Sequence, residues 1–284
     1  MKRIGLTLFM FWTPALAGDV LYVDQNAAGG LGDGSSWQHA FIDLQDALAA
    51  ARAEPGGFDA IWIAGGVYTP APPGGDRGIS FEMVDGVALM GGFEGDEADP
   101  SDRPPVDDPS APETVLSGDL HGDDEVDSQT DEFMPESRDD NAHRVIDGTN
   151  SRSPTLDRLH VVRGVQDLSA LVADSGAGAF FSLADQVSIT DCEFNFNFSA
   201  GVGGAVLIAI SESATIEGSV FFGNQSGAEG GAVWFGSNVA RTNTIEIREC
   251  RFERNRVIRR SASAHTRGGS VMSHAFITRI ERSG

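Results

Sequence analysis

Lysine is all but missing. Lys2 is the only one in 284 residues, so every other side-chain cation of the chain outside histidine is an arginine. Two cysteines and two tyrosines are too few for a disulfide-stapled scaffold, and any core must come from packing. Long apolar runs are absent as well: residues 4–12 fall short of the roughly 20 residues that span a bilayer core of about 30 Å. No later stretch is both long enough and uncharged, which excludes a transmembrane helix in the mature chain. Positive charge is scarce overall. The formal net charge of −22 argues against nucleic acid as a partner, because a phosphate backbone is bound by clustered Lys and Arg. The imbalance is local: acids crowd residues 94–140, whereas 241–282 is rich in arginine. An acidic, lysine-free surface is first of all a solubility trait.

The start of the chain has the three-part layout of a secretory signal peptide. Lys2 and Arg3 precede the apolar run, and Pro14 precedes the small-residue pattern Ala15-Leu16-Ala17. Residues 1–17 are therefore expected to direct export and to be removed. What remains is rich in glycine, with 35, and in phenylalanine, with 17, the materials of tight turns and apolar stacking.

A repeat carries the fold. Phe194, Phe221 and Phe252 are each followed three residues later by an asparagine, Asn197, Asn224 and Asn255. Each such element is trailed by a glycine pair, in Gly203-Gly204-Ala205-Val206, Gly230-Gly231-Ala232-Val233 and Gly268-Gly269-Ser270-Val271. In the first two units both motifs advance by 27 residues, and a fixed period of this size means stacked supersecondary units. Between the motifs, residues 205–210, 214–217, 233–235 and 244–248 alternate apolar and polar, the signature of strands, with no helical pattern among them. A unit of this length holding two or three short strands fits one coil of a parallel β-helix. With strands about 4.8 Å apart, the Phe rings would stack inside the coil and the Asn amides would form a ladder at a turn. The glycine pairs would permit positive φ and close backbone approach. Cys192 and Cys250 each sit two residues before a motif Phe, where the middle unit has Ser219. They are then about 9 to 10 Å apart, beyond the roughly 7 Å that a disulfide allows between Cα atoms, and two free thiols are expected.

Ahead of the repeat, Phe41, Leu44, Ala47, Leu48 and Ala51 fall on one helical stripe that ends before Pro55-Gly56-Gly57. Residues 21–24, 60–64, 79–83, 87–90 and 145–146 read as short strands, and 156–162 and 176–181 as degenerate coils. An amphipathic helix ahead of the first coil is the expected cover for an open apolar end.

The paired Phe-x-x-Asn and Gly-Gly-Ala-aliphatic elements resemble the polymorphic outer-membrane protein repeat of chlamydiae. Two units match it fully, and the third has Ser270 in place of alanine and a longer gap between its motifs. The resemblance covers about the last third of the chain and implies a surface-exposed protein linked to adhesion. The order of Tyr22-Val23-Asp24, Gly34-Ser35-Ser36-Trp37, the helix, residues 61–68, Gly91-Gly92-Phe93-Glu94-Gly95 and Leu116-Ser117-Gly118-Asp119 is similar to the first coils of secreted β-helix proteins of the pectate-lyase-like superfamily. That likeness implies fold, and function does not follow from it.

Candidate sites are few. Asp119, Asp123, Asp124 and Asp127 crowd one loop, and hard cations such as Ca²⁺ want several carboxylate oxygens at once. The loop lacks the glycine and the bidentate glutamate of an EF-hand, so a solvated acidic loop is the plainer reading; Asp119, Asp123 and Asp124 stand as the candidate Ca²⁺ ligands. A lyase on this fold would need clustered Asp and a basic Arg, but Arg152, Pro154 and Arg158 are spaced one residue off such an arginine motif, and Arg is a poor base. Asp139 and Asp140 are sequence neighbours, which in a strand point to opposite faces and give no glycosidase pair. His121, His143, His160, His265 and His274 lack metal-site spacing.

The reading is thus an all-β chain: a right-handed, single-stranded parallel β-helix (solenoid) with an N-terminal amphipathic capping helix. Residues 1–17 are the signal peptide, 18–58 the N-terminal strand and helix, and 59–284 the β-helix, with an acidic loop insertion at 94–140 and a truncated or irregular end over 266–284. No residue is assigned to catalysis and no cofactor is required beyond the Ca²⁺ candidates. The expected function is non-enzymatic, adhesion to a host or cell surface or binding of an extracellular polysaccharide by an exported or outer-membrane protein of a bacterium. The alternative is a polysaccharide lyase or glycoside hydrolase.

Overall fold

The computed structural model describes residues 19–127, 132–133, 138–149, 151–167, 176–209, 211–236, 244–258, 269–273 and 277–281. Residues 1–17, expected to form a signal peptide, Gly268 of the third glycine pair, and the arginine-rich segment 259–268 lie outside the described residues. Over the described residues the chain is a parallel β-solenoid of about five turns with one short α-helix.

Four parallel sheets run along the solenoid. The longest has eight strands in chain order, from Asp19–Val23 and Phe58–Ala64 through Gln186–Thr190 and Ser213–Glu217 to Ile277–Glu281. A second sheet of six strands starts at Gly66–Tyr68 and Thr114–Ser117 and continues through His160–Val162, Glu193–Asn195, Val220–Phe222 and Arg251–Glu253. A third, of four two-residue strands, includes Phe198–Ser199 and Gln225–Ser226, and a fourth, of six, includes Ala179–Ser182, Val206–Ala209 and Val233–Gly236. Because Asp19–Val23 pairs with Phe58–Ala64, the N-terminal strand is part of the solenoid wall. The strand Thr114–Ser117 lies within the 94–140 span and divides its acidic residues between two loops.

Alternation decides which way each strand faces. In Gln186–Thr190, Ser213–Glu217 and Thr244–Arg248 the pairs Val187/Ile189, Ala214/Ile216 and Ile245/Ile247 are buried while their neighbours point outward. The inward residues join one continuous core, to which Leu44, Ala47, Leu48 and Ala51 of helix Leu44–Ala53 contribute. Asp43 caps this helix by accepting from the Gln45 N–H at 2.9 Å. Phe41 precedes the helix and sits against Val23 in an isolated parallel bridge.

The repeat motifs are structural. Phe194 and Phe221 stack at 5.1 Å between ring centroids, and Phe221 and Phe252 at 4.7 Å, with planes 5° apart in both pairs. The Asn197 amide donates to Asn224 Oδ1 at 3.1 Å, and the Asn224 amide donates to Asn255 Oδ1 at 2.9 Å. The two glycines of each pair have different tasks. Gly203 and Gly230 have φ of +62° and +60°, while a Cβ on Gly204 or Gly231 would lie 2.2 or 2.4 Å from a carbonyl oxygen of the next coil.

Corners turn on a single left-handed residue. Arg158, Asp191, Gly218 and Glu249 occupy the stacked corner between the first and second sheets, with φ between +51° and +62°. Their position follows from the register Asp157, Thr190, Glu217, Arg248 just before them. The ladder survives the bend, since Arg158 N–H donates to the Thr190 carbonyl and Asp191 N–H to the Glu217 carbonyl. Residues 156–162, which read in sequence as one segment, are therefore two strands in two sheets.

Cys192 is buried and Cys250 partly so, and both are free thiols. The Cys192 N–H donates to Ser219 Oγ, which places the serine of the middle coil next in the stack.

Candidate functional site

A cleft of about 230 Å³ lies on the outer side of the second sheet. One wall is the loop 104–113, which carries Pro104, Pro105, Pro109 and Pro112. Fixed φ at four of its ten positions, two i→i+3 backbone turns and the Asp108 carboxylate accepting from Ser110 make this wall stiff without help from a ligand. The other side is the solenoid itself, through the corner residues Arg158 and Asp191 and the outward-facing His160 and Glu193.

The register sets the floor. His160 and Glu193 are cross-strand partners in adjacent coils, so their side chains emerge side by side. Glu113, at the end of the proline loop, reaches the same imidazole: His160 Nδ1 is 3.9 Å from Glu113 Oε2 and 3.9 Å from Glu193 Oε2. The corner above is crowded with charge. Arg158 donates to the Pro104 carbonyl at 2.8 Å and so ties the wall to the solenoid. Its aliphatic stem passes over Gly92, where an added Cβ would come 3.3 Å from Cδ. Arg103 meets Asp157 at 2.7 Å with both side chains mostly covered, and its guanidinium lies over the Phe93 ring.

These neighbours perturb the corner groups. Burial, reinforced by Asp157, raises the Asp191 carboxyl above the usual carboxylate range. Burial and the nearby Arg103 lower the Arg158 guanidinium from its ordinary value. A cleft with convergent polar groups and perturbed titration is the default place to look for ligand binding.

The acidic loop is built differently. Asp119 and Asp123 do meet, together with Asp140, with one carboxylate oxygen of each within 4.8 Å of the others. Asp124 instead accepts from the Asn141 amide. Asp119 is buried, and its two oxygens are taken: Oδ1 accepts the N–H groups of Gly122 and Asp123, and Oδ2 accepts Asp124 N–H and Arg163 at 3.0 Å. Glu97 does the same in the loop before it, accepting from Glu94, Gly95 and Asp96. In each case a carboxylate closes its own loop, and a cation entering either would face backbone donors, with the Arg163 charge added at Asp119.

Arg152 is exposed and paired with Asp85, away from Arg158. Asp140 accepts from His121, at both its backbone N–H and its ring. Nothing in the sequence alone singles out Glu113, Asp191 or Glu193, and His160 is there one of several scattered histidines. The one available signal was the run of prolines in 104–112.

Compared with protein-family models, curated proteins and solved structures, the chain matches none.

Proposed function

We propose that this is an exported, non-enzymatic β-solenoid that binds an extracellular polysaccharide, at a cell surface or in the medium, through the cleft between loop 104–113 and the second sheet. The observation that carries the reading is that cleft: a stiff, proline-walled cavity with Glu113, His160 and Glu193 on its floor. At about 230 Å³ it is smaller than pockets that enclose a drug-sized ligand, about 300 Å³ and up, which suits one ring of a longer polymer held against an open face. The floor groups donate and accept hydrogen bonds, as sugar hydroxyls require. The leader-like residues 1–17 and the resemblance to polymorphic outer-membrane protein repeats support display outside the cytoplasm. A right-handed coil is supported by the strong preference of parallel crossovers for that hand, and a capping role for helix Leu44–Ala53 by its burial in the solenoid core.

One observation favours a second reading, a polysaccharide lyase or hydrolase. Asp157, Asp191, Arg103 and Arg158 converge on one outward corner beside the cleft. Two of the four are consumed in an ion pair and Arg158 is committed to Pro104, so binding ranks first. A glycan array on the purified chain, followed by assays of new reducing ends and of unsaturated product on any binder, separates the two. Binding without turnover supports the first reading, turnover lost in Asp191→Asn supports the second, and no binding to any glycan contradicts both.

A further inference from the structure

Resting on that reading, we propose that the cleft selects amine-bearing sugars, such as a deacetylated hexosamine polymer, over neutral and uronate-bearing ones. The cavity marks the site, and the charges lining it decide which ligand it favours. Asp107 and Asp108 stand on the proline wall, Glu113 and Glu193 flank His160, and Asp191 closes the corner. Against these five acids Arg158 is the one arginine lining the cleft among the described residues, and its guanidinium donates to Pro104 while facing Asp157 and Asp191.

A uronate would add a carboxylate to this set. A protonated amine relieves the repulsion and brings three N–H donors to Glu113 and Glu193, whose carboxylates both approach within 3.9 Å of the His160 ring and so stand side by side at the cleft. The wall is fixed beforehand, so little of that gain is lost to ordering the site. Acetylation of the nitrogen removes the charge and with it the preference. The sign of selection is thus opposite to that of a site built to hold acidic polysaccharides, which would present arginines to its ligand.

The test is calorimetric titration of the purified chain with tetramers of glucosamine, N-acetylglucosamine and galacturonate at about 0.15 M salt. The glucosamine tetramer is expected to bind about tenfold or more tightly than the acetylated one, with no binding of the galacturonate. Glu193→Gln and Glu113→Gln should each weaken it about tenfold, while Asp46→Asn and Glu54→Gln, on and beside the remote helix, remove the same charge and should leave affinity within about twofold. Equal or tighter binding of the acetylated or uronate tetramer overturns the selectivity and leaves the cleft as a glycan site. Equal losses from the remote variants overturn it as bulk attraction to an acidic protein. Binding of none of the three overturns the selectivity, and the glycan array then decides whether the cleft reading falls with it.

Discussion

Asn224 links three coils: its side-chain amide donates to the Phe194 carbonyl of the coil before at 2.7 Å and to Asn255 Oδ1 of the coil after at 2.9 Å. Its Oδ1 also accepts the backbone N–H and the amide of Asn197. Asn224→Ala leaves several of these groups buried without partners, at about 1–3 kcal/mol each where no water replaces the side chain. The expected loss is about 3 kcal/mol or more in urea unfolding, and clearly less for Asn255→Ala, at the more exposed end of the ladder. Equal losses at both positions would contradict a ladder whose worth depends on burial.

The glycine pairs make a sharper test of coil geometry. Gly204→Ala sets a Cβ 2.2 Å from the Gly231 carbonyl oxygen and should cost about 3 kcal/mol, near the upper end of overpacking penalties. Gly29→Ala, by contrast, sits at positive φ but meets nothing within 4 Å, so only the left-handed penalty of about 1–2 kcal/mol applies. Thermal unfolding of the two variants reads the difference directly.

Much of this was legible in the sequence because one physical demand repeats. Phe194, Phe221 and Phe252 must stack at the strand spacing, and the Asn and Gly positions must recur with them. The earlier coils serve the same interior with Leu89, Leu116, Leu156 and Val161, which carry no distinctive spacing. The corner at Arg158 was invisible because only the backbone shows it: a left-handed arginine looks like any other. Beyond its proline wall, the cleft was hidden for a different reason. Its Glu113, His160 and Glu193 lie on three separate segments and meet only through strand register.

Acidity at the corner gives a pH dependence. Asp191 has its folded-state pKa raised by burial and by Asp157, so its contribution to stability is fully present below the unfolded value near 3.8 and is lost as pH rises through the raised one. Asp191→Asn removes the charge that costs stability at neutral pH, and asparagine tolerates the left-handed corner. The melting temperature of this variant should exceed wild type at pH 7 and converge on it below pH 4. A variant less stable than wild type at pH 7 would show that the carboxylate is a needed partner there.

The thiols should be silent in the folded protein. Burial pushes Cys192 far above the ordinary thiol value and Cys250 to about 11, which leaves little thiolate at pH 8. Alkylation at pH 8 should be slow at both until denaturant is added, with Cys250 the faster. Rapid modification of Cys192 under native conditions would mean that its coil opens locally.

The acidic loop is expected to ignore Ca²⁺. Millimolar Ca²⁺ should leave the melting temperature unchanged, whereas Asp119→Ala, which strips Arg163 and three N–H groups of their acceptor, should cost about 3 kcal/mol. A Ca²⁺-dependent rise that vanishes in Asp123→Asn would make the loop a metal site after all.

Hydrogen exchange with and without a glycan ligand chosen from an array decides whether the cleft is where the glycan binds. Bound ligand should slow exchange in 106–113, with smaller changes at 158–160 and 191–193, and leave the remote helix Leu44–Ala53 unchanged. Protection confined to another face of the solenoid, with 106–113 unaffected, would contradict it.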